Sequence, residues 1–385
     1  MKKVNIAIIG LGNIGSYLYK YLIDNKKILT KKNNCLPVIK YVSAKNKKRK
    51  RNIIIRKNQW LNNYLDATKH KEVDLIVELI GGSEGPAKKL VFNALKNKKH
   101  VVTANKALIS KYGDELSQIA EKNKVNLEYE AAVCGGVPII RSIKEGLIAN
   151  KISRIYGIFN GTSNYVLSSM DINKTSFDET VKKSVKLGYA ESNPTSDING
   201  EDVSSKVKIL TCLGFNSFIN DSIHVEGIKN IDEEDISNAN KLGYKIKLMG
   251  FSELLNNKIF QRVHPTLVRK KSYIAGVDGV LNAVIIDGNP IGKNIIQGEG
   301  AGPSATTSAL ISDISSILRG NIKFPFGISS NKRKKYSSGK ITDLFFSSYI
   351  RLNVKDKYGV LADVTKIFSN NKVSIKRVLQ SPYKN

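Results

Sequence analysis

Four carboxylates and one lysine are concentrated in the stretch GYAESNPTSDINGEDVSSK, residues 188–206, of a chain whose formal net charge is +29. Carboxylates can hold an ammonium group, and a lysine ammonium can stabilise or protonate a developing negative charge. Asp202 and Lys206 stand four residues apart at the start of a predicted helix, so the carboxylate can orient the ammonium. On spacing alone, such a pair is more often an ordinary exposed helix pair.

A glycine-rich turn near the start of the chain indicates a site for a phosphate group. The apolar run 4–9 is followed by glycines with GxGxxG spacing and then by the helical pattern SYLYKYLID. A strand, a glycine turn and a helix in this order bind the pyrophosphate in dinucleotide-binding folds. A glycine turn without a ligand is the alternative. The predicted cofactor-binding residues of the turn are Gly10, Gly12, Asn13, Ile14 and Gly15.

Strand and helix patterns alternate over the first third of the chain, which predicts an α/β fold with a doubly wound parallel sheet. Beyond it the segments become longer, which favours a separate α+β domain. The predicted organisation is a Rossmann-type dinucleotide-binding domain at 1–133, a catalytic domain at 134–303, a helix at 304–320 that packs back on the first domain, a polar linker at 328–347 and a further partial domain at 348–385.

The residues after the second predicted strand favour NADP over NAD. An acidic residue at this place usually binds the adenosine ribose of NAD. The chain has no Asp or Glu between Asp24 and Asp66, and the basic run KNKKRKR begins at Lys45, the residue nearest the strand end. These cations can receive a 2′-phosphate. A solvated basic loop is the alternative for most of the run.

Composition excludes several classes of protein. Lysines are spread along the chain and far outnumber arginines, unlike a basic stripe that binds nucleic acid. The three cysteines and four histidines are scattered without the spacing of a zinc site. No apolar run is long enough to span a bilayer, and no signal-peptide pattern begins the chain. We therefore expect a cytoplasmic protein without a nucleic-acid or membrane partner.

Six motifs, in this order, resemble those of homoserine dehydrogenase: GLGNIG, HVVTANKALI, YEAAVCGGVPII, NGTSNYVLSSM, LGYAESNPTSDINGEDVSSKVKIL and GEGAGPSATTSALISDI. The resemblance extends to about residue 326. It implies an NAD(P)-dependent oxidoreductase that interconverts L-aspartate 4-semialdehyde and L-homoserine, on the route to threonine, methionine and isoleucine. Reduction of an aldehyde by hydride leaves a developing alkoxide, which a positioned lysine can stabilise and protonate.

The resemblance also implies roles for individual residues. Lys206 matches the acid/base lysine and Asp202 its neighbouring carboxylate, while Lys106 of TANK matches a second lysine beside nicotinamide and substrate. Glu191 matches the glutamate that binds the substrate amino group, and Asp197 matches another carboxylate of the substrate pocket. Asn193 departs from the aspartate common in the family and receives no charged role. Glu201 is interpreted as a solvated residue of the first helical turn.

The loop EAAVCGGVP matches the monovalent-cation site of the family. The resemblance implies sodium held by Glu130 and by the backbone carbonyls of Val133, Gly135 and Val137, and oxygen ligands suit such a hard cation. A glycine-rich hinge between domains is the alternative. The resemblance further implies a homodimer or homotetramer, with dimer contacts made by the catalytic domain.

Two other functions have some support. Cys134 near the domain junction could serve a semialdehyde dehydrogenase with a thiol nucleophile, but no histidine stands where it could activate the thiol. Residues 348–380 resemble the opening strand, helix and strand of an ACT domain, a βαββαβ unit that senses amino acids, with Gly359 at the ligand-binding turn. An amino-acid sensor and threonine as a regulator follow as hypotheses.

Overall fold

A computed structural model of the chain describes residues 1–219, 221, 223–355 and 357–380. Its first domain contains a five-stranded parallel sheet in the order β2-β1-β3-β4-β5. The predicted doubly wound α/β domain is confirmed. The strands of this sheet are β1 (Lys2–Ile9), β2 (Cys35–Ser43), β3 (Leu75–Glu78), β4 (His100–Thr103) and β5 (Leu127–Glu128).

A mixed seven-stranded sheet forms the second domain and confirms its predicted α+β class. Its main path runs β11-β10-β6-β8-β9-β12, and β7 also pairs with β9. Neighbours from β11 to β9 are antiparallel. The strands are β6 (Lys151–Ile158), β7 (His224–Val225), β8 (Tyr244–Leu255), β9 (Lys258–Arg269), β10 (Leu281–Asn289), β11 (Gly292–Glu299) and β12 (Ser337–Ser338).

Helices connect the strands and cover both sheets. The α-helices are α1 (Asn13–Asp24), α2 (Lys26–Asn33), α3 (Asp66–Lys69), α4 (Pro86–Lys96), α5 (Lys106–Lys122), α6 (Ile139–Arg141), α7 (Gly161–Asn173), α8 (Phe177–Lys186), α9 (Thr195–Ile198), α10 (Glu201–Phe215), α11 (Glu233–Lys241), α12 (Pro303–Leu318) and α13 (Val360–Asn370). Within the described part of the chain, none of them is both long and apolar enough to cross a membrane.

Side chains alternate between the two faces of the parallel sheet along each strand, and helices bury both faces. Ile8 of β1 packs in one apolar cluster with Leu310 of α12, whereas Ile9 packs in the other cluster with Leu90 of α4. Helix α12 therefore leaves the second domain and covers one face of the first domain, beside α1.

The fold brings three separate segments to one crevice. The strands β2 and β3 lie on opposite sides of β1, so the direction of winding changes at β1, where ligands bind beyond the carboxyl ends of the strands. The glycine turn follows β1 at this edge, and α5 begins here three residues after the end of β4. Helix α10 of the second domain packs against α5 and thereby places its own first turns at the crevice.

The C-terminal segment differs from the ACT-like pattern. Helix α13 forms, but none of its residues is buried, and no strand is assigned among the described residues between 344 and 380. The predicted linker is partly ordered against the second domain, where β12 pairs with β9. Asp356 and residues 381–385 of the ACT-like segment lie outside the described residues, and the ACT-like domain stays a prediction.

Candidate active site

The glycine turn after β1 has close packing at two of its three glycines. Gly10 has a φ of +110°, and a Cβ there would overlap the carbonyl oxygen of Leu79, in the turn after β3. A Cβ at Gly15 would overlap the carbonyl oxygen of Gly10. These two glycines are required for the strand, the turn and the helix to approach each other.

Gly12 is different because the space beside it is open. No described heavy atom lies within 4 Å of the position of a Cβ at Gly12. Helix α1 begins at the next residue, Asn13, and no side chain among the described residues caps its first backbone N–H groups. Free N–H groups and the positive end of the helix dipole bind anions. The turn therefore fits a dinucleotide pyrophosphate, with Asn13 and Ile14 in the first turn of the helix.

Alanine at two of these glycines should separate folding from cofactor binding. We expect Gly15→Ala to lower the free energy of unfolding by about 1–3 kcal/mol because its Cβ overlaps backbone. We expect Gly12→Ala to fold normally but to bind the dinucleotide roughly tenfold more weakly, because its Cβ occupies the phosphate side of the turn. Thermal unfolding and fluorescence titration measure the two effects. Equal loss of stability in both variants would contradict this assignment.

The basic loop after β2 folds back over the glycine turn. Arg49 Nη2 donates to the side-chain oxygen of Asn13 at 3.1 Å, and Arg51 Nε donates to the carbonyl of Leu11 at 2.9 Å. Lys45 is exposed two residues beyond the end of β2. The structure thus places two arginines of the KNKKRKR run, Arg49 and Arg51, directly against the turn.

Asp202 lies between the two candidate catalytic lysines. Its Oδ2 is 2.7 Å from Lys206 Nζ, and its Oδ1 is 2.5 Å from Lys106 Nζ. Lys206 also donates to the carbonyl of Phe159 at 2.6 Å, and only 8% of the residue is exposed. The side chain of Lys106 is 43% exposed and faces the crevice from the start of α5. One carboxylate therefore orients a buried ammonium and an accessible one.

The ion pairs of this cluster shift the pKa values of Asp202 and Lys206 further than burial shifts them in the opposite direction. Burial alone would raise the pKa of the Asp202 carboxyl, but the ammonium groups of Lys206 and Lys106 hold this pKa below its usual value. Burial alone would lower the pKa of Lys206, but the Asp202 carboxylate raises it above its ordinary value. Lys206 is therefore protonated at neutral pH and can donate a proton.

Asn160 is a site residue that the sequence interpretation missed. Its Nδ2 donates to Asp202 Oδ2 at 2.8 Å and to Asp197 Oδ1 at 2.7 Å, and its Oδ1 accepts from the backbone N–H of Ser163 as the N-cap of α7. The signal was its place at the start of the motif NGTSNYVLSSM, just before a helix. The amide joins the lysine partner Asp202 to the predicted substrate carboxylate Asp197.

Lys106 is held by its neighbours at the end of β4. Asn105 caps α5 through its side-chain oxygen, and its Nδ2 donates to the carbonyl of Gly82 at 2.7 Å. The buried carboxylate of Glu78 accepts from Thr103 Oγ1 at 2.5 Å and from the backbone N–H groups of the turn after β3. The start of α5 is thus fixed relative to the turn that contacts Gly10.

The other polar residues of the acidic stretch, including the predicted site residues Asp197 and Glu191, lie in and around α9. Burial and the nearby charge of Asp202 raise the pKa of Asp197, which is half-buried. Glu191 is exposed in the preceding loop and has no hydrogen bond or ion pair to the described residues. Asn193 accepts hydrogen bonds from Thr195, and Glu201 is exposed in the first turn of α10. The structure brings Asp197 to the lysine cluster but does not bring Glu191 into contact with it.

The loop after β5 has the oxygen donors of a cation site. Glu130 is buried, and burial raises its pKa to about 7 although the backbone N–H groups of Arg141 and Ile140 donate to the carboxylate. Cys134 and Gly135 both have positive φ, so the backbone turns sharply among the predicted carbonyl ligands of Val133, Gly135 and Val137. A carboxylate and backbone carbonyl oxygens are the types of ligand that suit a monovalent cation. Among the described residues, no cluster of three His, Cys, Asp or Glu side chains forms a metal site.

Cys134 has the properties of a structural thiol. It is buried, and burial raises its pKa to about 11. Because the thiolate is the nucleophilic form, this thiol has little reactivity near neutral pH. The alternative of a thiol-dependent semialdehyde dehydrogenase is not favoured.

Comparisons with known proteins show the family of the chain. Residues 138–315 match a family model described as homoserine dehydrogenase, and residues 10–130 match one described as the NAD-binding domain of homoserine dehydrogenase. A homoserine dehydrogenase of Neisseria gonorrhoeae is 41% identical over 320 residues, 83% of this chain and 73% of the relative. That of Bacillus subtilis is 35% identical over 389 residues, 100% of this chain and 89% of the relative. The crystal structure of a homoserine dehydrogenase from Thiobacillus denitrificans has a TM-score of 0.90 and 34% identity, covering 99% of this chain and 89% of that one.

Proposed function

The chain belongs to the homoserine dehydrogenase family of NAD(P)-dependent oxidoreductases, and from this premise we propose that Lys206, Asp202 and Lys106 interconvert L-homoserine and L-aspartate 4-semialdehyde. The observation that supports these residues most strongly is the Asp202 carboxylate between two lysine ammonium groups at the crevice. A bound nicotinamide supplies or accepts the hydride, and the residues of the chain manage the proton and the substrate charges.

Lys206 is the proton donor for reduction of the aldehyde. Its ammonium is protonated at neutral pH because of Asp202, and it can pass a proton to the alkoxide oxygen that forms at C4 of the substrate. In the oxidation of homoserine the neutral amine accepts the hydroxyl proton. Lys106 adds a second positive charge at the crevice, which stabilises the negative charge on that oxygen.

Carboxylates hold the other end of the substrate. The α-ammonium group of homoserine needs an anionic partner when it leaves water. Asn160 donates to both Asp197 and Asp202, and we assign Asp197 as the carboxylate that accepts the ammonium. Glu191 belongs to the exposed loop before α9, and its carboxylate would form an ion pair with the substrate ammonium when the substrate binds.

The assay that tests this function follows reduced cofactor at 340 nm after the purified chain is mixed with NADP⁺ and L-homoserine. We expect reduction that depends on L-homoserine, with semialdehyde as the product. L-serine, which is one methylene shorter, is the control and should give much less reduced cofactor. Absence of homoserine-dependent reduction with both NADP⁺ and NAD⁺ would contradict the proposed function.

We propose that NADP is the preferred cofactor, with Lys45 and Arg49 near its 2′-phosphate. We expect the double variant Lys45→Ala/Arg49→Ala to lower kcat/KM for NADP by roughly tenfold or more, because charge-assisted hydrogen bonds are lost, and to change kcat/KM for NAD little. Lys122→Ala, at the far end of α5, removes a positive charge from an exposed position and is the matched control. A wild-type protein with a strong preference for NAD would contradict this assignment.

We propose sodium as the monovalent cation at Glu130, Val133, Gly135 and Val137. A cation that binds only the folded chain raises its stability. We therefore expect a higher Tm in sodium chloride than in choline chloride at equal ionic strength, by about 2–4 °C per kcal/mol of binding free energy. Glu130→Gln removes the anionic ligand and should abolish the difference. A salt-independent Tm of the wild-type protein would count against the site.

Regulation and assembly are proposed from the family resemblance. We propose a homodimer or homotetramer, which sedimentation of the purified chain tests. We propose threonine as a regulator that binds the ACT-like segment 348–385. Titration of threonine against the homoserine-dependent rate tests regulation, and an unchanged rate at saturating threonine would exclude it.

A further inference from the structure

Arg51 attaches the basic loop after β2 to the glycine turn through backbone carbonyls. Its Nη2 donates to the carbonyl of Asn46 at 2.8 Å, and its Nη1 donates to that of Arg49 at 2.8 Å. Its Nε donates to the carbonyl of Leu11, in the glycine turn, at 2.9 Å. One guanidinium therefore joins two points of the loop to the turn between β1 and α1.

The same guanidinium is also fixed relative to β2. The Cζ atom of Arg51 lies 5.7 Å from the centroid of the Trp60 ring, within the range of a cation–π contact. Trp60 in turn forms a parallel bridge with Val42 of β2. Arg51 is half-buried, whereas residues 45–50 before it are all exposed. The donors of Arg51 thus contact the protein, while the other cations of the loop are accessible to a ligand.

The charge of the loop explains why it needs such an attachment. Six of the seven residues 45–51 are basic, and none is acidic. Like charges repel each other, and a run of them favours an extended or disordered chain. The carbonyl oxygens that accept from Arg51 counter this tendency. The side-chain oxygen of Asn46, which accepts from the backbone N–H groups of Lys48 and Arg49, adds a turn inside the loop.

We infer that Arg51 is a positioning residue for cofactor specificity, because it holds the loop that carries Lys45 and Arg49 where the 2′-phosphate of NADP binds. In dinucleotide-binding folds the group that recognises this end of the cofactor follows the second strand. Arg51 itself is not assigned to the phosphate, since its Nε, Nη1 and Nη2 already donate to carbonyls. The inference rests on the proposed preference for NADP.

The variant Arg51→Lys tests this role because it keeps the positive charge and removes the planar fork. A lysine ammonium is a point charge, whereas a guanidinium donates in several fixed directions. We expect the Kd for NADPH to rise roughly fivefold or more, because the loop no longer holds its cations at the phosphate. The packing of Gly10 and Gly15 preserves the turn itself, so the Kd for NADH should change less than about twofold.

Titration of nicotinamide fluorescence measures both Kd values and needs no turnover. Arg56→Lys makes the same change at an exposed residue shortly after the loop and is the matched control. It should leave both Kd values within about twofold of the wild type. A smaller rise for NADPH in Arg51→Lys, or a similar rise for NADH, would overturn the inference.

Limited proteolysis of the protein without cofactor gives a second test. Trypsin cleaves after lysine and arginine, so Arg51→Lys leaves the number of cleavage sites unchanged. We expect cleavage within residues 45–51, followed by mass spectrometry, to be roughly fivefold faster in Arg51→Lys than in the wild type and in Arg56→Lys, because the loop opens more often. Equal cleavage in a protein that prefers NADP would overturn the role of Arg51 alone. A wild-type protein that prefers NAD would instead contradict the proposed cofactor preference, on which the inference rests.

Discussion

Replacing Lys206 by methionine is expected to lower kcat for reduction of L-aspartate 4-semialdehyde by roughly 10²–10⁴-fold, the usual contribution of a positioned acid. Methionine fills similar space but has no proton to donate. Asp202 keeps its ion pair with Lys106, so the substitution leaves no isolated buried charge and the variant should fold. Steady-state kinetics and circular dichroism measure the two expectations, and fluorescence titration should give a nearly unchanged Kd for NADPH.

Lys208→Met is the matched control for this prediction. Lys208 lies on the same helix, two residues from Lys206, and none of the ion pairs among the described residues includes it. The control should retain its kcat within about twofold. Near-normal turnover of Lys206→Met would show that Lys206 is not the acid, and Lys106 would then be the candidate.

The second large effect is expected for Asp202→Asn. This substitution removes the carboxylate that pairs with both lysines, and breaking a buried ion pair costs about 3–5 kcal/mol. With the carboxylate gone, burial lowers the pKa of Lys206, so the ammonium form is lost at a lower pH. We expect a lower Tm, a reduced kcat, and a pH profile for aldehyde reduction whose alkaline limb moves toward acid.

The pH dependence of stability gives this prediction a definite sign. In the wild type the pKa of Asp202 is held below its ordinary value, so the carboxylate stabilises the fold above about pH 4 and this contribution disappears as the pH falls further. The Asp202→Asn variant should lack that acid-dependent loss. Asp197→Asn is the matched control, since it makes the same change at the other carboxylate to which the Asn160 amide donates. It should raise KM for L-homoserine with little change in Tm.

Local patterns explain which parts of the fold, and which contact within the candidate site, the sequence predicted. A strand, a glycine turn and a helix are contiguous, so their spacing predicts the order β1, turn and α1 that the structure contains, while the pyrophosphate site itself stays a prediction. Asp202 and Lys206 are one helical turn apart, so their pairing also follows from local geometry. The α/β order of the first domain follows from alternating short segments, and the structure confirms it.

Contacts between distant segments could not be predicted in this way. Asp202 meets Lys106 only because α10 packs against α5, and Asn160 reaches Asp202 from a third segment at the start of α7. Arg49 contacts Asn13 because the basic loop folds back on the turn. Strands were expected on both sides of α13, but none is assigned there among the described residues. An extended pattern becomes a strand only where a partner strand satisfies its backbone groups.

Transfer of deuterium from homoserine tests most directly whether this lysine site performs the dehydrogenation. The wild-type protein and Lys206→Met are each incubated with NADP⁺ and L-homoserine deuterated at C4, and the reduced cofactor is analysed by mass spectrometry. We expect one deuterium in each NADPH formed by the wild type, in step with the semialdehyde, and a rate lower by roughly two orders of magnitude or more in the variant. Reduced cofactor without deuterium, or equal transfer by both proteins, would contradict the assignment.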